Sequence, residues 1–211
     1  MNIKKGIIFA AIFVSAGSLF AQTSNIKKAQ TNFQKYYEFK QTGTAKLGES
    51  FLNTAKEAID AAVVHDKTKD NAEAWTYYSL IYGNLGVDNS NADDIAKAQE
   101  AISKAKQLDT DKKQEENIKN SEYNLYAFNF NQGVAAWEKQ DFPGAYNAFN
   151  SALTYMPGDT TLTYYAGIAA IQNNDLKNGL EKYLALAERK DYSEHKKIVK
   201  DIPNLYLTDR K

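Results

Sequence analysis

Cysteine is absent from all 211 residues, which removes disulfides, thiolate metal sites and cysteine-linked lipid anchors together. Stability must then come from apolar packing. Proline is nearly as scarce, present only at Pro143, Pro157 and Pro203. So few breakers, with abundant Ala, Lys, Glu, Gln and Leu, favour an all-helical chain. Charge of either sign is missing as a net quantity: 26 basic side chains face 26 acidic ones. Nucleic acid is therefore not an expected partner, because its binding needs a surface that neutralises several phosphates. Histidine is limited to His65 and His195, in the first and last helical units. His65 is expected to meet the carbonyls at a helix end, and His195 to face solvent. No His-Glu-x-x-His, phosphate-cradling glycine loop or nucleophile elbow is present. The carboxylates follow the mixed Lys/Glu pattern of solvated helix faces. Neither an enzyme, a metal nor a cofactor is expected.

Long apolar runs are also missing, with one exception. Lys4 and Lys5 precede GIIFAAIFVSAGSLF, fifteen uncharged residues that lead into Ala21-Gln22. A basic start, a short apolar core and a small residue at the exit predict a secretory leader over 1–21, cut after Ala21. The run is shorter than the ~20 residues of a membrane span. Membrane association is not expected once the leader is removed, and the protein is expected to work in the periplasm or cell envelope. Loss of Lys4 and Lys5 leaves 24 basic side chains against 26 acidic, a formal charge of −2.

What the chain does have is repetition. Gly133 and Gly167 are 34 residues apart, as are Asp141 and Asp175, Ala145 and Gly179, Phe149 and Tyr183, and Ala152 and Leu186. A constant period of this size predicts helix pairs stacked on one another, each burying an apolar face it cannot bury alone. Gly133, Ala136, Ala145, Phe149 and Pro157 resemble the glycine, small-residue, Ala-x3-Phe and proline frame of the tetratricopeptide repeat. That resemblance implies an all-α, right-handed solenoid of antiparallel helix pairs over residues 22–211. Its repeats lie near 25–66, 71–109, 126–158 and 160–190, followed by a half-repeat at 193–211.

In chain order, residues 24–41 read as a first helix, broken by Thr42-Gly43-Thr44. Leu47, Phe51, Ala55, Ile59 and Ala62 mark a second. Trp75, Tyr78 and Tyr82 repeat the family's first-helix spacing, with Ser79 in the glycine position, and Ala98, Ile102 and Ala105 its second-helix spacing. The distance between them is seven residues too long. GNLGVDNSNADD predicts a lengthened loop there, either merely tolerated or reaching for a partner. The polar stretch 110–125 reads as the third repeat's helix extended backwards, capped by Asp111. Asp141, with Pro143 in the first turn, and Asn174-Asp175 predict the caps of the next second helices. Pro203 predicts a kink or restart in the final helix. That helix ends where a second one would begin, as a lone cap or a truncated product would.

On the 34-residue grid Phe130, Tyr164 and Ile198 are equivalent, as are Val134, Ile168 and Ile202, and Trp137, Ile171 and Leu205. In the family these first-helix positions line the concave groove, so the resemblance implies an apolar groove that holds a protein or peptide. A row at helical spacing is equally readable as the core face. Self-association through the half-repeat is the alternative role.

Overall fold

The computed structural model describes the backbone of residues 10–209 and the side chains of residues 24–207. The leader expected over 1–21 lies outside the described side chains. Every regular element among the described residues is helical, and successive helices pack as adjacent pairs. They are α1 (Ala10–Gln41), a 3₁₀ turn (Ala45–Gly48), α2 (Glu49–Val64), α3 (Ala72–Asn89) and α4 (Ala92–Leu108). Then follow α5 (Glu115–Glu138), α6 (Phe142–Tyr155), α7 (Thr160–Gln172), α8 (Leu176–Ala187) and α9 (His195–Asp209). Two compact units divide the chain inside α5, one ending at Glu122 and the other beginning at Tyr123.

Three of the corners between helices are built alike. Ser90, Gln140 and Asn174 each adopt a left-handed backbone, with φ of 52°, 59° and 59°. The next residue sends its amide back to a carbonyl five residues earlier: Asn91 to Gly86, Asp141 to Ala136 and Asp175 to Ala170, each at 2.9 Å. Its side chain then caps the following helix, accepting from the amides of Asp93 (2.9 Å), Gly144 (3.0 Å) and Asn178 (3.2 Å) respectively. A short Asx side chain can satisfy amides that the first turn leaves open, so one residue ends the reversal and starts the helix.

The 34-residue period in the second unit is a period of packing. A methyl group on Gly133 would lie 2.5 Å from the Phe149 ring, and one on Gly167 would lie 3.0 Å from Tyr183. In both pairs an aromatic side chain of the second helix sits on a bare patch of the first. Around the first contact the core holds Phe149, Ala152, Leu162 and Ala166; around the second, Tyr183, Leu186 and Ile198.

The loop expected between α3 and α4 does not exist. Leu80 through Gly86 are helical and buried, and only Ser90 and Asn91 connect the two helices. Counted back from the capping Asx, Gly83 holds the place of Gly133 and Gly167, four residues beyond Ser79. Counted forward, Ala98 lies three residues later than Ala145 does. The seven extra residues thus give about one turn to each helix, and a whole turn leaves each apolar face where it was. Residues with turn preference are used here for their size: a methyl on Gly86 would come 2.6 Å from Ile95 Cγ1. Asn84 is satisfied within the helix, its amide donating to the Leu80 carbonyl at 2.8 Å.

Two smaller expectations also change. Asp109, at the end of α4, accepts from the Gln114 amide at 2.9 Å before α5 begins, while Asp111 pairs with Lys113 instead of capping. Helix α9 continues through Pro203 without a restart.

If α3 is helical through this stretch, Leu85→Pro should cost ~3 kcal/mol or more, whereas a loop would absorb it. Gly133→Ala should destabilise by about 1–3 kcal/mol from overpacking against Phe149, outweighing the ~1 kcal/mol that alanine gains over glycine in a helix. Urea unfolding followed by circular dichroism measures both.

Candidate functional site

The apolar rows of the second unit are where a binding surface was expected, and their members divide between packing and solvent. Phe130 is half-buried, its ring 6.1 Å from Phe149 and stacked on Tyr126. Tyr164 stacks on Tyr183 at 6.2 Å. Trp137 meets Phe142 edge-on at 5.3 Å, and Ile171 presses against Gly179. These four lean on the second helix of their own pair, drawn in by the close approach at Gly133 and Gly167. Val134, 37% exposed, and half-buried Ile168 are the members turned furthest from that contact.

The third column shifts register. Ile198 is fully buried, and Ile202 and Leu205 pack with it against Tyr183 and Leu186 of α8. In α7 the side chains that face α6 in this way are Leu162, Ala166 and Ala169. Ile198, Ile202 and Leu205 follow those three by 36 residues, where the grid supposed 34. The connection from α8 to α9 spans 188–194, longer than the 156–159 connection from α6 to α7, and the extra residues displace the pattern. Structurally, Ile198 is the counterpart of Leu162 and not of Tyr164. These three side chains are core.

In the first unit a polar cluster joins α1 to α3. Lys40 Nζ donates to Asn84 Oδ1 at 2.7 Å and pairs with Asp88 Oδ1 at 2.9 Å, while the Tyr36 hydroxyl donates to Asp88 Oδ2 at 2.5 Å. Beside it, a cleft of about 410 Å³ has Leu52 and Leu85 at its base and Lys46, Glu49, Asn53 and Asp88 around it. Its charged lining is of both signs, Lys46 beside Glu49 and Asp88. A second cluster joins α2, α3 and α4: Tyr82 donates to Asp60 Oδ1 at 2.8 Å, with Lys56 and Lys97 5.3 and 4.9 Å from its ring centre. Both clusters tie helices together.

The histidines act locally. His65 Nδ1 accepts from the Lys67 amide at 3.2 Å, and His195 Nε2 lies 2.9 Å from the Ala187 carbonyl at the end of α8. His195 is therefore half-buried against a helix terminus and not solvated as expected. Among the described residues no three His, Asp or Glu side chains converge as metal ligands, and no helix is long and apolar enough to cross a membrane. Comparison with protein-family models, with curated proteins and with solved structures finds no match.

Burial raises the phenol pKa values of Tyr36, Tyr82 and Tyr183 above the ordinary 10.0, with hydrogen bonds to Asp88 and Asp60 adding to it for the first two; Tyr183 is pushed up to about 12. A raised folded-state value stabilises the fold fully below pH 10 and loses that contribution as pH climbs through the folded values. Unfolding free energy should therefore fall progressively above about pH 10. Tyr36→Phe should make that fall shallower while costing about 1 kcal/mol at neutral pH. Denaturant titrations across alkaline pH read both effects.

Proposed function

We propose that this chain is a non-catalytic scaffold that holds a protein or peptide, built from tetratricopeptide-like helix pairs and exported to the bacterial cell envelope. The observation that carries the reading is the match between the 34-residue recurrence and the packing it produces, from the left-handed corners at Gln140 and Asn174 to the aromatic-on-glycine contacts. Helices in such a repeat contact their successors as well as their own partners. Side-chain links between alternate helices support this nesting inside each unit: Tyr36 and Lys40 to Asp88, Ser79 to Ser121 at 2.7 Å, and Lys197 to Tyr164 at 3.5 Å.

Within the second unit, the surface that fits a partner is the outer edge of α5 and α7, with Val134 and Ile168 on it and the rims of Phe130 and Tyr164 beside them. Apolar side chains here, with the heavier rings anchored in the core, suit an apolar peptide segment: a partly preformed surface loses little ordering entropy on binding. The leader sequence supports export. Its test is amino-terminal sequencing of the protein recovered from the envelope fraction, expected to begin at Gln22.

A Val134→Asp, Ile168→Asp double variant should lose, by about tenfold or more, the partner that wild-type protein captures from envelope extract, as loss of anchoring contacts does. Its melting temperature should stay within a few degrees of wild type. Capture that is indifferent to both substitutions would remove this surface from the proposal.

A further inference from the structure

From Tyr123 to Asn174 the second unit is almost without charge. Glu138, Lys139, Asp141 and Asp159 are the only charged residues in that stretch, although such residues make up 25% of the whole chain. The first three cluster where α5 turns into α6, and Asp159 starts α7. Asp141 and Asp159 are further engaged as caps, accepting from the amides of Gly144 at 3.0 Å and Leu162 at 2.9 Å. The helical faces themselves present rings, aliphatic groups, hydroxyls and amides. Across them the aromatic rings run without a gap. Ring centres are 5.3 Å apart from Tyr123 to Tyr126 and 6.1 Å from there to Phe130. Phe149 follows at 6.1 Å, Tyr165 at 5.8 Å and Tyr164 at 6.1 Å. Phe149 is buried and anchors the middle of the run. Tyr126, Phe130 and Tyr164 are half-buried, Tyr165 is 39% exposed and Tyr123 56%.

We propose that this α5–α7 surface takes an uncharged, proline-rich segment in the polyproline II conformation. The inference rests on the scaffold reading above and deepens it by naming the kind of peptide the surface fits. A polyproline II helix makes no internal hydrogen bonds, so its carbonyls all remain acceptors, and proline brings no N–H of its own. The protein answers with donors: the phenols of Tyr123, Tyr126 and Tyr165, and the exposed amides of Asn131 and Gln132 that follow Phe130. Proline rings dock on rows of aromatic side chains, and both surfaces are already ordered, so little freedom is lost on binding. The missing charges matter equally. A charged segment would be desolvated against a surface with nothing to pair it, whereas a neutral one is not penalised. A neutral polysaccharide would meet the same rings, but each of its hydroxyls also donates, and Asp141 and Asp159, which could accept, are engaged as caps. An α-helix keeps its carbonyls to itself and would leave the phenols unused.

The test uses the full chain and a labelled Pro-Pro-Ala repeat of about twelve residues, roughly 37 Å long in this conformation. Fluorescence anisotropy should show saturable binding, and a Gly-Gly-Ala twin of equal length should bind at least about tenfold more weakly, because it must be ordered first. The affinity should change less than about twofold between roughly 0.05 and 0.5 M sodium chloride, since no charge pair is there to be screened. Tyr165→Ser and Tyr123→Ser should each weaken the peptide by about tenfold, with melting temperatures within a few degrees of wild type. Should Tyr165→Ser unfold the protein, Tyr123→Ser, at the more exposed position, decides alone. The proposal is overturned if the proline peptide does not bind, if its glycine twin binds as well, or if the folded tyrosine variants bind like wild type. A steep loss of affinity with salt, or binding of maltohexaose in the peptide's place, overturns it equally. Capture from envelope extract that Val134→Asp with Ile168→Asp abolishes, while the proline peptide fails to bind, leaves the scaffold reading standing and removes this inference alone.

Discussion

An aromatic ring laid on a glycine holds each helix pair of the second unit together. Phe149 sits on Gly133 at a distance that no side chain on the glycine would permit, and Tyr183 on Gly167 at one that an added methyl would crowd. The contact brings two helix backbones close and buries a large apolar ring at once. It also dictates what happens around it. Residues one turn before and after each glycine are pulled towards the second helix, which is why Phe130, Trp137, Tyr164 and Ile171 are half-buried while Val134 is turned out. The binding surface proposed here is therefore what remains after the pair has closed.

The corners convert that local contact into a repeating one. A left-handed residue followed by an Asx cap reverses the chain in two residues, and the same construction appears at Ser90-Asn91, Gln140-Asp141 and Asn174-Asp175. Because the reversal is constant, the spacing from glycine to cap is constant too, at eight residues for Gly83, Gly133 and Gly167. Helix length may change freely on either side provided it changes by whole turns. That tolerance explains how seven additional residues enter α3 and α4 without disturbing Leu80, Ile81, Ile95 or Ile102 in the core.

The first unit relies on a different bond between alternate helices. Lys40, Tyr36, Asn84 and Asp88 form a half-buried polar network, where the second unit uses aromatic stacking, apolar packing of Tyr164 and Ile171 with Ile198, and a contact from Lys197 to Tyr164. Such networks fix one arrangement of neighbouring helices because any slip leaves a polar group unpaired. In α9 the core residues Ile198, Ile202 and Leu205 pack on α8.

The amino-acid sequence alone determined the helical class, the break at Thr42-Gly43-Thr44, the caps at Asp141 and Asp175, and the equivalence of Gly133 with Gly167 and of Phe149 with Tyr183. Each depends on interactions within a few residues or within one constant period, and both are written directly in the order of residue types. The fate of GNLGVDNSNADD was decided elsewhere. Its glycines and asparagines have local turn preferences worth about a kilocalorie each, and burial of Leu80, Ile81 and Leu85 against neighbouring helices outweighs them. The register of α9 was likewise tertiary, because a longer connection lets Ile198, Ile202 and Leu205 choose their depth by packing on Tyr183 and Leu186. A period in sequence predicts equivalence only while the connections stay equal. Where one lengthens, the core selects the register.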